Sequence, residues 1–214
     1  MLMTIWMLLL GYAFGNITTG DIVGKVNHVD IRHEGSGNVG STNAMRTMGF
    51  LHGGLPTLIG DMLKAIIPAC LAKFIICRGM PGDAYGLFST DFYTLAAGYG
   101  AVLGHNFPAI HKFKGGKGVA STFATLLVFK FPLGAIEFAI VAVVVAITRY
   151  VSLGSILGFI VLPLLTMVFF PGKWALVAAT LFYTVLGVVR HHANISRLMS
   201  GTENKFHIHS QKTK

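Results

Sequence analysis

Long apolar runs, separated by short loops that hold most of the charge, constrain this chain more than any other feature. A helix needs about 20 mostly apolar residues to cross the hydrocarbon core of a bilayer, and fewer where neighbouring helices bury it. Seven segments meet that need: Leu2–Val23, Leu55–Ile76, Tyr93–Ile110, Val119–Phe129, Phe131–Thr148, Leu153–Phe170 and Trp174–Val189. The expected fold is all-α, a polytopic membrane helix bundle of about seven transmembrane helices, forming one domain over residues 1–214. Composition agrees. The chain is 53% hydrophobic and 12% charged, with a mean hydropathy of +0.66, whereas soluble domains carry about a quarter charged residues. The run Met1–Leu10 resembles the apolar core of a signal peptide, but no basic stretch precedes it and no small-residue cleavage site follows, so it is expected to remain as the first span.

The formal net charge is +9. In a soluble chain such an excess would suggest nucleic acid; between apolar segments it points to lipid headgroups and phosphorylated substrates, with no nucleic-acid partner. Seven spans put Lys25, Arg32, Arg46, Lys112, Lys114, Lys117, Arg149, Arg190, Arg197, Lys205, Lys212 and Lys214 on one side, and Lys73, Arg78, Lys130 and Lys173 on the other, twelve against four. The positive-inside rule then sets the C-terminus in the cytoplasm and the N-terminus outside. Without the short Val119–Phe129 span, Arg149 and the tail would fall opposite the first two basic loops. Cys70 and Cys77 have no metal or redox spacing and read as small apolar side chains.

Four polar elements face that basic side. The first, Gly35–Arg46, is dense in donors. Its glycines let backbone amides turn toward one point, its Ser, Thr and Asn side chains add neutral donors, and Arg46 can grip two phosphate oxygens. Gly35, Gly37 and Gly40 match a dinucleotide fingerprint formally, but they follow a membrane span rather than a strand. The second, His111–Gly118, interleaves Lys112, Lys114 and Lys117 with glycines just ahead of an apolar helix, where anions are favoured. The third, Arg149–Ser155, offers the hydroxyls of Ser152 and Ser155, which suit a substrate oxygen or a helix cap equally. In the fourth, His191, Asn194 and Arg197 recur every three residues and share a helical face, followed by Glu203. Asp61 and Lys64 lie three apart inside the second expected span, as a structural pair or a substrate contact.

These loops supply phosphate binding for two groups but few carboxylates, no cysteine and no metal cluster. That balance suits transfer to a hydroxyl driven by a good leaving group, with alignment and oxyanion stabilisation as the main catalytic means. No metal or other cofactor is called for.

The elements Gly35–Arg46, His105–Pro108 with Lys114–Ala120, Ser152–Ser155 and His191–Glu203 resemble those of the bacterial acyl-phosphate-dependent glycerol-3-phosphate acyltransferase family, over nearly the whole chain. Two positions depart from its pattern: Gly154, where a serine is frequent, and His192, where an arginine is frequent. The resemblance implies transfer of a fatty acyl group from acyl phosphate to the 1-hydroxyl of sn-glycerol 3-phosphate. The products are 1-acylglycerol 3-phosphate and phosphate, in the first acylation of phospholipid synthesis. Neither acyl-CoA nor acyl carrier protein would be required. It implies a multi-pass protein of the bacterial inner (plasma) membrane whose active site faces the cytoplasm. By the same resemblance Ser36, Gly37, Asn38, Val39, Gly40, Ser41, Thr42 and Asn43 hold the acyl phosphate. Arg46, Lys117, Ser152, His191 and Asn194 serve the acceptor or the reacting centre, and Lys114, Ser155, Arg197 and Glu203 bind substrate. The proton of the acceptor hydroxyl is left to either His191 or a substrate phosphate. The competing readings are a permease for phosphorylated metabolites, against which stands the lack of an inverted repeat, and a headgroup transferase, which would need an aspartate cluster for metal.

Overall fold

The computed structural model describes residues 1–206; Lys212 and Lys214, counted above for orientation, lie outside the described residues. Ten α-helices run in chain order among those residues: α1 Leu2–Gly15, α2 Thr19–Val26, α3 Ser41–Met48, α4 Leu55–Cys70, α5 Thr90–Asn106, α6 Val119–Phe129, α7 Phe131–Thr148, α8 Val151–Phe169, α9 Trp174–Arg190 and α10 His192–Met199. Wide π turns precede and extend α4, at Phe50–Gly54 and Leu71–Ile76. Among the described residues, the one extended pairing is an isolated bridge between Pro81 and Ser89.

Several expected boundaries move, each for a local reason. The first segment is not one helix from Leu2 to Val23. It breaks at 16–18 and resumes to Val26, because the polar groups at the break find partners from elsewhere. The Asn16 Oδ1 accepts from the Ala109 amide at 2.7 Å, and the Ile17 carbonyl accepts from Lys64 Nζ at 2.9 Å. A helix interrupted at membrane depth is tolerated where its freed groups are satisfied in this way. The third segment starts at Thr90 rather than Tyr93, since Ser89 caps it by accepting from the Phe92 amide at 3.1 Å. It ends at Asn106 rather than Ile110, ahead of Pro108, which disfavours helix at the residue before it. Arg149, with φ +63°, is a one-residue left-handed break between α7 and α8. The helix then begins at Val151 instead of Leu153, and Ser152 falls in its first turn.

Three segments are long and apolar enough to cross a membrane, Leu2–Val26, Phe131–Thr148 and Val151–Phe169, and the α9–α10 pair, bent by 58°, adds a fourth. α1 packs most extensively on α5. The reason is small residues one turn apart: a methyl at Gly11 would strike the Ala97 carbonyl, one at Gly15 the Ala101 carbonyl, and one at Gly100 the Leu8 carbonyl. Spacing of this kind lets two backbones meet where lipid supplies no hydrophobic drive between helices. On the other side of α5, Leu95, Val102, Leu126, Phe129, Leu133, Leu162, Leu176 and Tyr183 form the largest buried apolar cluster, tying α5 to α6, α7, α8 and α9.

Candidate active site

The loop from Gly35 to Gly40 is shaped by its own short-range chemistry. Gly35 and Gly37 sit at φ +59° and +68°, a region where a side chain would be strained. Asn43, in the first turn of α3 and buried, reaches back across the loop. Its Oδ1 accepts from the Ser36 amide at 2.9 Å, and its Nδ2 donates to the carbonyls of Glu34 (3.0 Å) and Ile31 (3.3 Å). Asn38 Oδ1 accepts from the Gly40 amide at 2.8 Å. The turn therefore delivers the chain to the start of α3, where the early amides and the helix dipole favour an anion.

The Lys114–Gly118 loop is fixed from three sides. Arg190 donates to the carbonyls of Gly115 (3.0 Å) and Gly116 (2.8 and 3.0 Å), with its guanidinium over the Phe107 ring. The Gly116 amide donates to the His105 carbonyl at 3.0 Å, and the His105 ring lies so close to Gly116 that no side chain fits there. Arg32 holds Asp21 through two bonds of 2.6 and 2.8 Å and donates to the Lys114 carbonyl at 2.8 Å. Gly118, at φ +78°, then turns the chain into α6.

Clamped in this way, Lys117 donates to Asn194 Oδ1 at 2.5 Å. Asn194 Nδ2 donates to Glu203 Oε1 at 2.7 Å, Ser152 Oγ to the same oxygen at 2.8 Å, and Arg197 Nε to Oε2 at 2.7 Å. Burial works against the Glu203 charge, yet the bonds from Asn194, Ser152 and Arg197 prevail and hold its carboxyl below the ordinary value. Desolvation pushes the Lys117 ammonium down to about 8 and the His191 imidazolium to about 4. His191 is thus neutral near pH 7. Its Nδ1 lies 2.7 Å from the Gly187 carbonyl; a carbonyl only accepts, so Nδ1 carries the proton and Nε2 remains an acceptor.

These elements border one cavity of about 270 Å³. Of the residues expected from sequence, Ser36, Asn38, Gly40, Ser41, Thr42, Asn43, Arg46, Lys117, Ser152, Ser155, His191, Asn194, Arg197 and Glu203 line it. Gly37, Val39 and Lys114 do not. Gly37 donates its amide to the Glu34 carbonyl at 2.9 Å and shapes the turn. The Val39 side chain is buried with Ile31 and Ala44. Lys114 is exposed and contributes its carbonyl to Arg32. Glu203 is the hub of the charged cluster, with both oxygens engaged by neighbours.

Sequence reasoning missed several contributors. Asp61 and His105 also line the cavity. Asp61 pairs with Lys64 at 2.8 Å, and Lys64 Nζ lies 2.8 Å from His105 Nδ1, all three being buried. The intramembrane spacing of Asp61 and Lys64 signalled the pair and left a substrate contact open, whereas His105 stood within an element of the family resemblance without a role of its own. Arg190 and Arg32 stood in basic runs with no mark to distinguish them. Glu137 borders the cavity from within α7; a lone carboxylate in an apolar run was the available signal.

An all-helical membrane bundle that gathers glycine-rich and basic loops around one cavity belongs to a class of membrane-embedded transferases acting on phosphorylated substrates. The chain belongs to the glycerol-3-phosphate acyltransferase family, which matches residues 5–201. It is 42% identical over 201 residues to the glycerol-3-phosphate acyltransferase of Clostridioides difficile (strain 630), covering 92% of each chain. To that of Syntrophotalea carbinolica it is 42% identical over 202 residues, covering 94% of this chain and 96% of the relative. The crystal structure of PlsY (YgiH), an integral membrane glycerol 3-phosphate acyltransferase, superposes in its glycerol 3-phosphate form with a TM-score of 0.81. That match has 30% identity and covers 95% of this chain and 96% of that one. The lysophosphatidic acid form of the same protein gives 0.80 at 30% identity, covering 96% of each. The chain is accordingly an integral membrane acyltransferase.

Proposed function

We propose that this enzyme transfers a fatty acyl group from acyl phosphate to the 1-hydroxyl of sn-glycerol 3-phosphate, releasing lysophosphatidic acid and inorganic phosphate. One observation carries the reading: a single cavity joins the start of α3 and its loop to Lys117, Ser152 and the His191–Glu203 cluster, so two phosphate groups have separate holds side by side. The loop Ser36–Asn43 takes the acyl phosphate. Arg46, Lys117, Ser152, His191 and Asn194 take the acceptor and the reacting centre, with Arg197 and Glu203 fixing Asn194 and Ser152.

In the reaction the acceptor hydroxyl oxygen attacks the acyl carbonyl carbon. A carbon–oxygen bond forms there as the bond from that carbon to the phosphate oxygen breaks, and phosphate departs with the bonding pair. Lys117 and the α3 amides offset the negative charge that grows on the carbonyl oxygen and the leaving phosphate, the kind of preorganised stabilisation that dominates such barriers. The hydroxyl proton passes to His191 Nε2 or to a substrate phosphate oxygen. Near-normal turnover in His191→Ala would assign it to phosphate.

The protein has seven spans, with α4, α5 and the short α6 as buried crossings beside the longer ones, the N-terminus outside and the C-terminus in the cytoplasm. The enzyme sits in the bacterial inner membrane with its cavity open to the cytoplasm, and acyl-CoA and acyl carrier protein are not donors. The basic-residue asymmetry supports that orientation. The deciding experiment gives purified protein acyl phosphate and labelled glycerol 3-phosphate, without acyl-CoA, carrier protein or metal. Labelled lysophosphatidic acid and free phosphate in equal amounts are expected; absence of both products overturns the reading.

A further inference from the structure

Part of the cavity lining is apolar. Beyond the polar loops the cavity is bordered by Leu58 of α4, Phe123 of α6, and Phe138 and Val141 of α7. The rings of Phe123 and Phe138 pack against each other, tilted by 32° with centroids 4.9 Å apart, and Phe138 is half-exposed. Beside Phe138, α7 adds a carboxyl to this lining, and unlike Asp61 it has no lysine paired with it. Glu137 is 8% exposed and borders the cavity. Among the described residues it has no hydrogen-bond or ion-pair partner. Its position is built into the helix packing: α8 carries glycine opposite it, and a methyl at Gly158 would lie 2.6 Å from Glu137 Oε1 and 2.7 Å from Val141 Cγ2. No other α7 residue nearer the start of that helix lines the cavity. Gly158 lies six residues along α8 from Ser152, so the carboxyl is about 9 Å below the charged cluster along the helix axis.

A largely buried carboxyl that meets no protein partner at a cavity wall depends on what fills the cavity, and its cost is met by water, by a hydrogen-bonding ligand or not at all. A saturated chain lying against Glu137 would exclude water and offer nothing in return. We propose that Glu137 is a specificity-determining residue for the acyl donor, forming a polar floor to the acyl groove that disfavours saturated chains reaching past it. A chain that ends above it leaves the carboxyl hydrated, and a chain with a hydroxyl at that depth bonds to it. The inference rests on the acyl-donor reading of the cavity.

The test uses the full chain and a series of saturated acyl phosphates from octanoyl to stearoyl, at saturating glycerol 3-phosphate. In Glu137→Leu the ratio of kcat/KM for stearoyl over octanoyl donor should rise about tenfold, the scale of removing one unsatisfied polar group. Glu137→Gln keeps a polar group there and should leave the ratio as in the parent. A mid-chain hydroxylated donor should gain on its saturated counterpart in the parent and lose that gain in Glu137→Leu. An unchanged ratio in Glu137→Leu, or in Glu137→Met if the leucine variant does not fold, overturns the proposal. Thermal stabilisation by the corresponding free fatty acids gives a second readout that needs no turnover. The same chain-length shift there, with no product from any acyl phosphate, would keep the groove assignment while removing the proposed reaction.

Discussion

The two sides of the cavity are organised for anions by different means. On the α3 side the loop and first helical turn offer neutral donors, mostly backbone, with Arg46 the one cation further along the helix, and their shape is set by glycines and by one buried amide, Asn43. On the opposite side the donors are charged side chains, held in a network whose centre is the carboxylate of Glu203. A backbone cradle costs little to desolvate and discriminates by shape. A lysine and arginine cluster is strongly hydrated and discriminates by charge, so it must be pre-paired to stay in place. The contrast suits a donor whose phosphate must leave and an acceptor whose phosphate must stay.

Four measurements would break or sharpen that contrast. Lys117→Ala should have the largest effect, a fall in kcat/KM of about 10²-fold or more, as loss of a charge-stabilising donor typically produces. Near-normal activity would remove Lys117 from the chemistry. Arg190→Ala should come next. Arg190 bonds to the loop that carries Lys117 and covers the Phe107 ring, so freeing that loop should cost about 10-fold to 10²-fold, with KM for glycerol 3-phosphate rising and KM for acyl phosphate held. Asn43→Ala should do the reverse, raising KM for acyl phosphate about tenfold through loss of the Ser36 anchor; equal changes in both KM values would erase the division between the sides. The smallest effect is in pH dependence. Lys117 is charged below about 8, so activity should be held below that value and decline as pH rises through it. Lys117→Arg, if active, should lose that alkaline limb, since a guanidinium does not titrate there. A limb unchanged in the arginine variant would assign it to another group.

The legible parts of the chain were those whose chemistry is written locally. Gly35–Arg46, Lys117 and the His191–Glu203 element carry polar or basic chemistry within a few residues, Ser152 fitted a substrate contact or a cap equally, and residues of all four line one cavity. Parts that depend on distant partners were not legible. The break after Gly15 is stable only because Lys64 and Ala109 reach it, 47 and 93 residues away. Arg190 looked like any basic residue at a helix end until its bonds to Gly115 and Gly116 came into view, 75 and 74 residues back. The span boundaries at Tyr93 and Leu153 slipped because a serine cap and a single left-handed arginine outweigh apolar content at a helix start.

The meeting of α1 with α5 through paired glycines has a consequence for how the molecule is made. α1 leaves the ribosome ahead of α5, and waits for a partner some ninety residues behind it. Until α4 and the segment after α5 arrive, the open carbonyl of Ile17 lacks Lys64 and the Asn16 Oδ1 lacks the Ala109 amide. Docking α1 and tying the break to α4 and to the segment after α5 are therefore one event. A Gly11→Leu or Gly100→Leu chain should insert, yet fail to mature: its helices would be present in the membrane while the phosphate loops, lacking their anchor at the break, never close around a cavity.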